Sequence, residues 1–87
     1  MKTTLLFNGF IDILGKQVGI KIYKEEDEGF VMYSFAQSIY LQNDGEIAPY
    51  HPGSGSMADS LEGILSKIEL YKQYFRKIIN TEVNPDF

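Results

Sequence analysis

Apolar residues follow two rhythms along this chain, every second position in the first half and every third or fourth in the second. The cleanest alternation is in residues 17–24. There Val18, Ile20 and Ile22 alternate with Gln17, Gly19, Lys21 and Tyr23, so the segment predicts a strand with one face in the core. Gly15-Lys16 separates it from the apolar run 10–14 and predicts a hairpin turn. Asn8-Gly9 is a second turn signal. It closes a first hairpin or sits as a bulge in one long bent strand over 3–14, and the long strand is the better fit. The acidic run Glu25, Glu26, Asp27 and Glu28, followed by Gly29, predicts an exposed loop into a strand over 30–35. A short strand over 39–42 follows, and Asn43-Asp44-Gly45 turns the chain again.

From residue 56 the period changes. Met57, Leu61, Ile64, Leu65, Ile68, Tyr71, Phe75, Ile78 and Ile79 make one stripe at helical spacing, with Glu62, Glu69, Gln73 and Arg76 opposite. Ser56 and Asp59 resemble a capping box, and Asn84-Pro85 lies beyond the far end, so the pattern predicts one helix over 56–80. Such a helix spans roughly 36 Å at about 1.5 Å per residue. An eight-residue strand spans only about 27 Å, so the helix is expected to overhang its sheet. Gly63 inside the helix fits either a close backbone approach or simple drift, and Leu70 and Tyr74 share a smaller second face with it.

The fold class that results is α+β: two layers, an antiparallel sheet of three to five strands in a hairpin meander, with one C-terminal amphipathic helix on one face. Residues 1–80 form the single domain, and 81–87 are expected to fray. Eighty-seven residues leave no room for a second core. The 44% apolar content and twelve aromatic residues, six Phe and six Tyr, argue for a folded chain.

Patterning also exposes a conflict. Several strands are apolar on both faces: Phe30 and Met32 against Val31, Tyr33 and Phe35, and Ile39 and Leu41 against Tyr40. One helix covers one face of a sheet, so the other face should be polar. Either the sheet curls on itself or a partner covers the second face. The candidate interface is Phe10, Val31, Tyr33, Phe35 and Tyr40 on the sheet, with Leu70 and Tyr74 on the helix. Burying five such side chains, at about 1.5–3 kcal/mol each, rivals the stability of a whole small domain. The leading functional expectation is therefore a small non-enzymatic protein-interaction module that forms a homodimer through that apolar face and the helix end.

Two other readings use polar features. The acidic run Glu25, Glu26, Asp27 and Glu28 offers a contact loop for an inhibitor or adaptor of a larger protein, such as a nucleic-acid-binding one. The stretch 50–56, with His51, Gly53, Ser54, Gly55 and Ser56, runs toward the expected helix start and offers an anion or small-molecule loop, since free amides and the helix dipole favour negative groups there. It lacks the Gly-Lys-Ser/Thr ending of a P-loop. His51 is the only histidine, and its spacing from Ser54, Ser56 and Asp59 matches no nucleophile elbow, so no catalytic residue is assigned.

The net charge of −4, with eight scattered basic residues, disfavours direct nucleic-acid binding. The chain contains no cysteine, so disulfides and thiolate metal sites are excluded. No cofactor or metal is expected. No apolar run reaches the roughly 18 residues of a membrane span, and 1–9 do not make a signal peptide, so the expected location is cytoplasmic and away from membranes.

Overall fold

The computed structural model describes residues 1–87 and has the order β1 (Lys2–Ile13), β2 (Lys16–Asp27), β3 (Phe30–Gln37), β4 (Ile39–Asn43), a 3-10 turn (Gly53–Ser56), β5 (Met57–Ala58), α1 (Leu61–Tyr74) and β6 (Ile78–Val83). Strands β1, β2, β3 and β5 form an antiparallel four-stranded sheet in that spatial order, and β4 pairs with β6 in a second, two-stranded sheet. The α+β class holds, with α1 against one face of the larger sheet.

Two tight turns build the meander. Leu14 and Gly15 turn β1 into β2 with φ of 51° and 86°, and Glu28 and Gly29 turn β2 into β3 with φ of 47° and 82°. A two-residue turn with both central residues in the left-handed region follows the right-handed twist of its strands, which is why glycine takes its second position. The first turn therefore sits one residue earlier than Gly15-Lys16. β1 is one long strand, but its irregularity falls between Leu5 and Phe7 rather than at Asn8-Gly9. Gly9 instead gives room to the Phe7 ring, which lies where a Cβ would stand.

The acidic run is not a loop. Glu25, Glu26 and Asp27 end the central strand β2, opposite Met32, Val31 and Phe30, and only Glu28 is in the turn. Register places Glu25 and Asp27 on one face of the sheet and Glu26, ion-paired to Lys24, on the other. The acids therefore do not form a single patch.

The helix is shorter than its stripe. It starts after Ser60, whose Oγ accepts from the Gly63 N–H at 3.0 Å, so Ser60 and not Ser56 is the cap. Gly63 does mark a close approach: a Cβ there would meet Ser60 Oγ at 3.0 Å and the Ala58 Cβ at 3.1 Å. At the other end the Asn43 amide donates to the Tyr74 carbonyl and accepts from the Arg76 N–H, and Phe75 is already extended at φ −86° and ψ 137°. Beyond this clamp, Ile78, Ile79, Thr81 and Val83 are β-branched and continue as β6 against β4. The helix expected to reach residue 80 thus becomes a helix plus a strand.

The tail that was expected to fray is also placed. Thr81–Val83 lie within β6, and the Asn84 side chain donates to the Gln37 carbonyl at 2.8 Å. Phe87 accepts from Lys21 Nζ at 2.6 Å through its main-chain oxygen, and its ring lies 4.2 Å beneath the same ammonium. Gly19 makes the space, because a Cβ there would come within 3.1 Å of that ring.

The core lies between the helix and the Val18, Ile20, Ile22 and Phe35 face of the sheet, completed by Ile64, Ile68, Tyr71 and Phe75 and by the fully buried Ile13 and Leu41. The lengths are the reverse of the expected ones. A 14-residue helix spans about 21 Å, a 12-residue strand about 40 Å, and the molecule is 43 Å long. The sheet overhangs the helix.

Candidate interaction surface

Strand register decides which side chains share a face. Ile11, Val18, Ile20, Ile22, Phe35 and Tyr33 lie on the helix side, and Val31 continues that side past the helix. Leu5, Phe10, Tyr23, Phe30, Met32 and Met57 lie on the opposite side, where no second layer of secondary structure stands. Phe10 is 73% exposed and Phe30 61%, while Leu5 and Met57 are also exposed and Tyr23 and Met32 half-buried. The expected interface is therefore divided. Phe10 is on the open face, Phe35 is core, and Val31 and Tyr33 are half-buried on the helix side. Phe30 and Met32, which the sequence pattern set on the other side of β3, share the open face with Phe10 but lie toward the far hairpin tip, opposite Asp27 and Glu25.

The open face is not uniformly apolar. Lys21 and Glu25 lie within it, and Phe87 stands over Gly19 next to Phe10. Its outer boundary is β1, which pairs only with β2 and leaves its other edge free. Leu5, Leu6, Phe7 and Phe10 are all exposed there, and Lys2 and Asp12 are the only charges in the strand. Natural sheets usually protect such an edge with charges, proline or short length. This one has a single bulge.

Tyr40, Leu70 and Tyr74 lie elsewhere. Tyr40 stacks on the His51 ring, with centroids 3.9 Å apart. His51 Nε2 is 3.5 Å from Glu82 Oε1 of β6, both side chains about half exposed. The polar partner of His51 is thus Glu82, while Ser56 Oγ donates to the Gly53 carbonyl and Asp59 precedes the true cap, so no hydrolytic triad forms. The glycine-serine stretch does not feed a helix N-terminus either. Gly53–Ser56 is a single 3-10 turn, and β5 and Ser60 intervene before α1 begins.

Leu70 and Tyr74 line a groove of about 530 Å³ between α1 and the segment carrying Tyr50, Pro52 and Gly55, with Phe35, Lys67, Tyr71 and Gln73 completing it. Tyr50 stacks on Tyr74 at 4.6 Å, and Tyr71 and Phe75 pack edge-to-face at 5.2 Å. The Tyr74 hydroxyl donates to the Glu46 carboxylate, and this hydrogen bond is the main reason its pKa is raised. The Tyr71 hydroxyl is buried with no hydrogen-bond partner, and burial pushes its pKa upward. The half-buried Lys67 has no ion pair. Of the candidate ligand residues His51, Gly53, Ser54, Gly55 and Ser56, only Gly55 reaches this groove, beside Tyr50 and Pro52 of the same loop. The structure contains no cluster of three or more His, Cys, Asp or Glu residues suited to a metal, and no helix long and apolar enough to cross a membrane.

Neither protein-family models, nor curated proteins, nor solved structures yield a match to this chain.

Proposed function

We propose that this chain is a small non-enzymatic protein-interaction module that works as a homodimer, joined through the apolar surface where the open sheet face meets β1. The observation that carries this reading is the free β1 edge of the four-stranded sheet, along which Leu5, Leu6, Phe7 and Phe10 are exposed. Fully burying one such side chain is worth about 1.5–3 kcal/mol, so a few of them supply the free energy of a stable contact. The helix end does not extend this surface, because Leu70 and Tyr74 belong to the groove on the other side of the molecule. Light scattering behind a sizing column, over a hundredfold dilution, tests the proposal. It predicts twice the 9.9 kDa chain mass at the higher concentrations and a shift toward monomer in Phe10→Ser. A 9.9 kDa species throughout overturns it.

A second reading, binding of a small planar anion, is favoured by the groove. Tyr50 and Tyr74 offer stacking surfaces, Lys67 an unpaired cation and Tyr71 an unsatisfied hydroxyl. Its test uses anilinonaphthalene sulfonate as the probe. Saturable fluorescence in the native chain, weakened at least tenfold in Tyr50→Ala, supports it; equal binding by both proteins sinks it. The acidic-inhibitor reading has less to stand on, because Glu25 and Glu26 face opposite sides of the sheet.

A further inference from the structure

We infer that two copies of this chain join edge to edge through β1, antiparallel, with Phe10 on the two-fold axis and Asn8 of each copy opposite Asp12 of the other. This rests on the dimer reading above and names the surface that makes it.

The two-residue turn makes Ile13 and Lys16 a hydrogen-bonded pair. In the bulge-free stretch 7–13, the main-chain groups of Phe7, Gly9, Ile11 and Ile13 therefore face β2, and those of Asn8, Phe10 and Asp12 point away from the sheet. Gly19, the residue opposite Phe10, confirms this phase. It spends its N–H on Ser38 Oγ at 2.8 Å and its carbonyl on the Ser38 N–H at 2.9 Å, both on the β3 side. Within residues 7–13 the free edge thus presents three outward donor–acceptor sets, which no other strand of the molecule meets.

An antiparallel copy centred on Phe10 uses all three sets, as hydrogen-bonded pairs 8 with 12, 10 with 10 and 12 with 8, giving about six interchain bonds. Opposed residues share a face. Asn8 can therefore donate its amide to the carboxylate of Asp12, and the two Phe10 rings meet on the open side. Shifting the register by two residues loses one pair. Shifting by four toward the turn sets Asp12 against Asp12, which like-charge repulsion disfavours. In the register centred on Phe10, the neighbouring copy's turn at Leu14 and Gly15 falls beside Leu5 and Leu6. There the bulge between Leu5 and Phe7 already ends regular pairing.

Electrostatics selects the same arrangement. The chain carries a net charge of −4, yet β1 itself is neutral, and an antiparallel pairing keeps the two acidic hairpin tips at opposite ends of the dimer. Direct stacking of two open faces is less favourable. It would bury Lys21 and Glu25 and would have to accommodate Phe87 on each side.

Because the chain has no cysteine, single-cysteine variants report the register directly. Alpha-carbons of a hydrogen-bonded antiparallel pair stand about 5.5 Å apart, inside the range a disulfide spans. An oxidised equimolar mixture of Asn8→Cys and a mass-tagged Asp12→Cys is expected to form the mixed dimer at least tenfold faster than either homodimer. Asn8→Pro removes one outward N–H and no intrachain strand bond, and it should weaken dimerisation at least tenfold while the monomer keeps its circular dichroism spectrum. If the native chain is dimeric but the mixture links no faster than its components, or Asn8→Pro dimerises unchanged, the edge is not the contact and this inference fails alone. A native chain that is monomeric over the whole dilution range overturns it together with the dimer reading.

Discussion

Tyr71 shows how one buried atom sets a measurable property. Its ring is core, packed against Phe35 and Phe75, but its hydroxyl is buried without a partner. An unsatisfied buried polar group costs about 1–3 kcal/mol. Tyr71→Phe keeps the ring and removes the unpaired group, so it should raise stability by about 1 kcal/mol, read as a higher urea midpoint at neutral pH. The same residue governs the alkaline limit. Unfolded, it loses its proton near pH 10, whereas the folded pKa lies above that, so the unfolded chain releases the proton first. The stability tied to this group is fully present below about pH 10 and is lost as pH rises beyond it. Tyr74, raised chiefly by its hydrogen bond to Glu46, adds to the loss in the same direction. Urea midpoints compared near pH 8 and pH 11 should show a smaller alkaline drop for Tyr71→Phe than for the native chain.

At the scale of elements, the helix ends are decided by two polar side chains outside the apolar stripe. Ser60→Ala removes the hydroxyl that holds the Gly63 N–H and should cost about 1 kcal/mol. Ser56→Ala should stay within about 0.5 kcal/mol, since its hydroxyl serves only the Gly53 carbonyl in an exposed turn. Equal costs for the two variants would mean that the helix begins where the sequence pattern first suggested. Asn43 acts at the other end, holding both the Tyr74 carbonyl and the Arg76 N–H from across the chain. Residues 74–80 carry no local trace of that contact, because Asn43 is more than thirty positions away.

For the whole molecule, the second sheet carries the main consequence. A chain cut after Asn80 loses the Leu41, Tyr40 and Ile39 pairings with Thr81, Glu82 and Val83, and it loses the Phe87 cap on Gly19. At about 0.5–1.5 kcal/mol net per hydrogen bond, plus the buried part of the Phe87 ring, the cut should cost about 2 kcal/mol or more. Removal of an unstructured tail would leave the urea midpoint unchanged, so this measurement separates the two descriptions of residues 81–87. Shape adds a second consequence. Since the sheet is about twice as long as the helix, its far end relies on hairpin pairing alone. Hydrogen exchange should be faster at Thr3, Thr4, Glu25 and Glu26 than at Val18, Ile20 and Ile22.

Local pattern alone determined much of this protein. The alternation of Val18, Ile20 and Ile22 marks β2 and its buried face, Gly15 and Gly29 mark the turns, and Ile64, Ile68 and Tyr71 mark the helix face that meets the sheet. Each is legible because its cause lies within a few residues: side-chain period, or tolerance of positive φ. Tertiary structure decided the rest. The apolar stripe over Ile78 and Ile79 fits a helix and a strand equally well, and the β4 edge with the Asn43 clamp selected the strand. Which face of β3 the helix covers was also open, since both are apolar. Register with β2 placed Tyr33 and Phe35 inward and left Phe30 and Met32 with Phe10. Those outcomes depend on partners distant in sequence, whose contributions no local period records.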